Sequence, residues 1–140
     1  MKRGVRDIKT FKASLKGRNE VPPVRTNSTG NAVFRLNSAG DKLFFRLVIQ
    51  NIKKVTQAHI HLGRRGENGP VVAFLCGPSK FGISVKRGVI RGTLTQNDLV
   101  GPLSGKTIRD LVLQIESGNA YANVHTIKNP NGEIRGQIKS

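Results

Sequence analysis

Ala58-His59-Ile60-His61-Leu62-Gly63 carries two of the three histidines in the chain, and the alternation around them decides the fold class. Residues two apart on a β-strand project from the same face. Read as a strand, His59 and His61 stand side by side, while Ala58, Ile60 and Leu62 turn the other way into a core. The third histidine lies in Ala120-Tyr121-Ala122-Asn123-Val124-His125-Thr126, which alternates in the same manner. There Ala120, Ala122 and Val124 form the inner face, and Tyr121, Asn123 and His125 the outer one. Both stretches predict imidazoles outside the core, and three would meet there if the two strands are neighbours.

The same period of two extends through the chain. Residues 10–16 predict a strand with Phe11, Ala13 and Leu15 inward, and 32–36 a second with Ala32, Phe34 and Leu36 inward. Residues 42–50 are the most apolar run. Leu43, Phe45, Leu47 and Ile49 line one face, with Phe44 and Val48 partly covering the other, as in a central strand. Asn51-Ile52-Lys53-Lys54 reads as a turn into the His59/His61 strand. Further strands are expected over 71–75, over 85–94 with breaks at Gly88 and Gly92, and over 133–138. Ile108, Leu111, Val112 and Ile115 recur at helical spacing and Gly118 follows them, which predicts one α-helix over about 107–117. Seven or eight short antiparallel strands with one helix in a long connection argue for an all-β fold, a β-sandwich. The expected organisation is one domain over 1–140, with its core between about 10 and 138.

Charge narrows the partners. With 24 Lys plus Arg against 8 Asp plus Glu the formal net charge is +16. Such an excess favours an acidic polymer or protein, at a cell surface, wall or spore. One tyrosine, six phenylalanines and no tryptophan supply little base-stacking surface, which disfavours nucleic acid. No apolar run reaches the roughly 18 residues of a membrane helix. No hydrophobic segment follows the basic Met1-Lys2-Arg3-Gly4-Val5-Arg6-Asp7, so no signal peptide is expected in this chain. Cys76 is the only cysteine and has no internal disulfide partner; Phe74 and Leu75 beside it suggest a buried thiol. Neither the compartment nor the oligomeric state is read from these residues.

The histidines suggest metal chemistry. Two imidazoles at i and i+2 can share an ion, and a third from another strand completes a three-His set with open positions. Nitrogen donors order copper ahead of zinc by intrinsic affinity. Gln57, Tyr121 and Asn123 are candidates for hydrogen bonds that orient His59, His61 and His125 from behind. The competing reading has the histidines bracing loops. Catalysis finds little support, because there is no nucleophile elbow, no base near Cys76 and no evident carboxylate pair. Gly63-Arg64-Arg65-Gly66 lacks the features of a phosphate loop. Arg64 and Arg65 are a solvated tip or an anion-binding rim, with Arg135 a further candidate. Glu20, beside Pro22 and Pro23, and Glu133 are read as structural, with Glu133 paired to Arg135.

Several motifs agree in order with one family. Asn19-Glu20-Val21-Pro22-Pro23-Val24, Ala58-His59-Ile60-His61-Leu62-Gly63, Gly92-Thr93-Leu94-Thr95, Gly118-Asn119-Ala120-Tyr121, Asn123-Val124-His125-Thr126 and Asn129-Pro130-Asn131-Gly132-Glu133-Ile134-Arg135-Gly136-Gln137-Ile138 resemble a CHRD domain, named from repeats in chordin. The resemblance runs from about Phe11 to Ile138 and is closest to single-domain bacterial members. It implies an immunoglobulin-like sandwich related to the copper/zinc superoxide dismutase architecture, and an extracellular or cell- or spore-surface setting. It also implies that His59, His61 and His125 are similar to the dismutase copper ligands. The departures are equally definite: no fourth histidine remains for a bridging imidazolate or a zinc site, and Cys76 cannot form the dismutase disulfide. Two expectations follow. The first is a non-enzymatic binding or structural module with a basic surface; the alternative is a copper-binding redox protein.

Overall fold

The computed structural model describes residues 9–77 and 82–140, so the basic 1–7 stretch lies outside the described residues. Seven strands and one α-helix are present among them: β1 Thr10–Lys16, β2 Thr29–Leu36, β3 Leu43–Leu62, β4 Val71–Cys76, β5 Ile83–Leu94, α1 Ile108–Glu116, β6 Ala120–Thr126 and β7 Ile134–Gln137. The expected inner faces are buried, from Phe11, Ala13 and Leu15 on β1 to Leu43, Phe45, Leu47 and Ile49 on β3.

The strands do not form two separate facing sheets. β3 runs for 20 residues, and the 51–54 segment expected as a turn is a kink inside it. Asn51 (φ 53°) and Lys54 (φ 55°) adopt left-handed conformations there, and the ladder shifts register between Ile52 and Val55. The first half of β3 pairs with β2, from Leu36 opposite Leu43 to Thr29 opposite Gln50. Its second half pairs with β6, from Val55 opposite Thr126 to Leu62 opposite Ala120. β2 continues to β1, β1 to β7 and β7 back to β6, so five antiparallel strands close into a barrel. Closure leaves none of those five strands as the edge of an open sheet. β4 and β5 are additional strands on β3.

α1 is stopped and started by its own residues. Thr107 accepts from the Asp110 amide at 3.2 Å while Asp110 accepts from the Thr107 amide at 2.9 Å, a reciprocal capping box. Ile108, Leu111, Val112 and Ile115 join the core, each side chain contributing about 1.5–3 kcal/mol by burial. Phe44, expected to cover the outer face of β3, is instead 44% exposed. Cys76 ends β4 half-buried, and burial pushes its thiol above the ordinary range.

Candidate metal centre

The β3–β6 ladder brings the three histidines together. Gln57 lies opposite His125, His59 opposite Asn123, and His61 opposite Tyr121. Their neighbours Ala58, Ile60, Ala122 and Val124 point into the barrel core, so the polar set occupies the outer face. That face is not open to solvent: His59, His61 and His125 are 3%, 7% and 7% exposed. Loops cover it, which strand alternation alone does not reveal. One ring nitrogen from each histidine falls within 4.8 Å of the others.

Main-chain carbonyls at the far side of two of the rings fix where their protons sit. His61 Nδ1 lies 2.9 Å from the Gly69 carbonyl, and His125 Nδ1 lies 2.7 Å from the Pro130 carbonyl. A carbonyl only accepts, so both Nδ1 atoms carry hydrogen. His59 has a partner at each ring nitrogen, Gln57 Oε1 3.1 Å from Nε2 and His125 Nε2 3.1 Å from Nδ1. Burial, then the neighbouring His125 and His61, pushes His59 down to about 3, and burial holds His61 and His125 below the usual histidine range. The rings are neutral with one N–H each. His61 Nε2 and His125 Nε2 therefore carry bare lone pairs, and His59 Nδ1 lies beside them, 3.1 Å from His125 Nε2.

Asn123 Oδ1 lies 2.9 Å from His61 Nε2 and 3.0 Å from His125 Nε2. Turning the amide over would give those nitrogens a donor and face its oxygen towards Glu20, whose carboxyl can donate to it while it holds its proton. A Cβ on Gly132 would run into both Glu20 Oε2 and Asn123 Nδ2, so both atoms border the same small space above Gly132. Glu20 Oε2 is buried without a hydrogen-bond partner, and desolvation raises the carboxyl to about 7 against the opposing pull of Arg135 and the Asn123 amide. The cluster thus gathers three imidazole nitrogens and an amide, with the Nδ1 protons of His61 and His125 turned outward, a donor set that suits a cation.

A family model described as the CHRD domain matches residues 11–138. The chain belongs to the CHRD domain family. No curated protein and no solved structure matches it. Among the described residues of this CHRD domain, no helix is long and apolar enough to cross a membrane.

Around the centre the CHRD domain uses its loops as a roof. Tyr121 stacks on His61 with ring centroids 4.7 Å apart and planes 5° from parallel. Arg135 lies over Tyr121, its Cζ 3.5 Å from the ring centroid. The Tyr121 hydroxyl accepts from the Gly69 amide at 3.1 Å, fixing the same residue whose carbonyl holds His61. Phe74 meets His59 edge-on at 4.5 Å.

Other expected roles change. Glu133 and Arg135 do not pair. Glu133 accepts from the Thr26 and Ser28 hydroxyls at 2.7 Å each, from Thr126 at 2.9 Å and from Asn129 at 3.1 Å. Arg135 instead donates to Asn68 Oδ1 at 3.1 Å and to the carbonyls of Arg64, at 3.0 Å, and Glu67. Each thus finds fixed dipoles in its own surrounding loops. Arg64 is exposed, and its guanidinium donates to the Ser117 carbonyl at 3.1 Å, at the end of α1. Arg65 and Arg135 do share a cleft. Pro22 follows a cis peptide bond, in the loop whose Val21 carbonyl accepts from Asn68 at 2.8 Å. Pro23 lies in the same loop, and with Glu20 both border a cleft against the 128–132 turn. Sequence reading missed Gly69 and Pro130 because they act through main-chain carbonyls, which carry no side-chain signature.

Proposed function

We propose that this CHRD domain is a binding module that holds one transition-metal ion at His59, His61 and His125, with copper ahead of zinc. The observation that supports this reading is the convergence of one ring nitrogen from each of three histidines within 4.8 Å, with the protons of His61 and His125 committed to main-chain carbonyls on their far sides. Outward carbonyls that orient ligating imidazoles are the usual surroundings of a metal site. Two nitrogens each about 2.05 Å from one ion in tetrahedral geometry lie about 3.3 Å apart, and His59 Nδ1 and His125 Nε2 are separated by 3.1 Å. Copper precedes zinc because nitrogen donors follow the Irving–Williams order. The test is elemental analysis after exposure to Cu(II) or Zn(II) and exhaustive buffer exchange, beside H61A and H125A. One retained copper per chain, lost in both variants while their circular dichroism stays native, is the expected result. Absence of retained metal, or retention by both variants, would overturn the reading.

A second reading, a basic surface for acidic partners, is favoured by a different observation. Among the described residues, the only ion pair is Lys9 with Glu116, at 2.8 Å. The excess cations are therefore largely without carboxylate partners. Salt-sensitive retention on heparin beads is the expected behaviour, and retention unchanged between low and high salt would count against it.

A further inference from the structure

We propose that the cleft between β1, β7 and the 63–70 loop is a subsite for a tetrahedral oxyanion, a phosphate or sulfate group. The inference rests on the basic-surface reading and names the place where it would act. The cleft has a volume of about 200 Å³, and Lys16, Arg18, Arg65, Arg135 and Lys139 line it together with Ser14; no acid does.

Strand register makes this grouping costly. Lys16 stands directly opposite Arg135 in the β1–β7 pair, and Lys12 opposite Lys139 in the bridge just beyond it. Like charges facing each other across a ladder destabilise it. Glu20 acts electrostatically on Arg135, but no carboxylate lines the cleft itself. Glu67, in the same loop as Arg65, accepts from the Arg64 amide at 3.2 Å and makes no ion pair.

Arg135 adds a fixed positive charge at the wall of the cleft. It is 1% exposed and held by Asn68 Oδ1 and two loop carbonyls, so it acts through its field while Lys16, Arg18, Arg65 and Lys139 supply the other cations. Lys16 and Arg18 come from β1 and the turn after it, Arg65 from the loop, and Arg135 and Lys139 from the C-terminal strand region. Cations from three segments suit an anion with oxygens pointing in several directions better than a planar carboxylate.

The test is calorimetric titration of the full chain with inorganic sulfate, inorganic phosphate and acetate at constant ionic strength. Saturable binding of one sulfate or phosphate is expected, and the tighter of the two identifies the group. K16Q/R18Q should weaken it at least about tenfold. R46Q/K53Q removes the same charge elsewhere and should change it less than about twofold. Equal weakening by both pairs, acetate binding as tightly as sulfate, or no saturable binding would overturn the subsite. Heparin retention separates the two readings. If wild type is retained while the titrations fail, only the cleft is wrong; if wild type is not retained, the basic-surface reading fails as well.

Discussion

His59 Nδ1 lies 3.1 Å from His125 Nε2, although 66 positions separate the two residues in the chain. They are diagonal neighbours across the β3–β6 ladder, since Gln57 faces His125 and His59 faces Asn123. Diagonal pairs on one face lie within reach of long and aromatic side chains. His61 belongs to the same outer row, and Asn123 contacts both His61 and His125 from the centre of the group.

Asn123 is expected to tune metal affinity without setting its stoichiometry. N123A should retain one copper per chain but bind it about 10–100-fold more weakly. Competition with a chelator of known affinity measures this. Unchanged affinity would remove Asn123 from the site.

The buried imidazoles make the metal-free protein sensitive to acid. An unfolded histidine takes its proton near pH 6.5, whereas folded His59 resists until about 3. Between those values the unfolded state binds more protons, so stability falls as pH falls through that window. Urea unfolding at pH 7, 6 and 5 should show a declining midpoint, with a shallower decline in H59Q. An identical slope in the variant would show that His59 is not the source.

Glu20 has the opposite sign. Burial raises its carboxyl from 4.5 to about 7, so the folded state keeps a proton that the unfolded state has released. That contribution is present below pH 4.5 and is lost as pH rises through 7. E20Q should therefore melt above wild type at pH 8 and close to it at pH 5. A lower melting temperature at pH 8 would show that the ionised carboxylate is needed.

For Glu133, burial alone would raise the carboxyl, but bonds from Thr26, Ser28, Thr126 and Asn129 more than offset it and hold it below the usual range. Its contribution is present above pH 4.5 and is lost as pH falls below that value. E133Q should destabilise the protein by about 1.5–3 kcal/mol at neutral pH, with the difference shrinking in acid. Chemical denaturation at pH 7 and pH 4 reads both effects, and a pH-independent difference would assign the loss to packing instead.

Local sequence determined which side chains share a face. Phe11, Ala13 and Leu15, Leu43 through Ile49, and Ala58 with Ile60 are buried as their alternation requires, and Ile108, Leu111, Val112 and Ile115 are buried at helical spacing. A period of two or of 3.6 is a property of the backbone and is visible in any run of residues. His59 and His61 on one face, and Tyr121, Asn123 and His125 on another, were legible for the same reason.

Tertiary structure alone decided how those faces were used. Period two survives a kink, so nothing local distinguished a turn at 51–54 from a bend that lets β3 close a barrel. Glu133 and Arg135 are two apart on an expected strand, yet separate loops offered each of them better-placed dipoles. The centre itself depends on the Gly69 and Pro130 carbonyls, which direct two imidazole protons away from the middle. Every residue carries a carbonyl, so its identity reveals nothing about where that carbonyl points; only the folded path of the chain does.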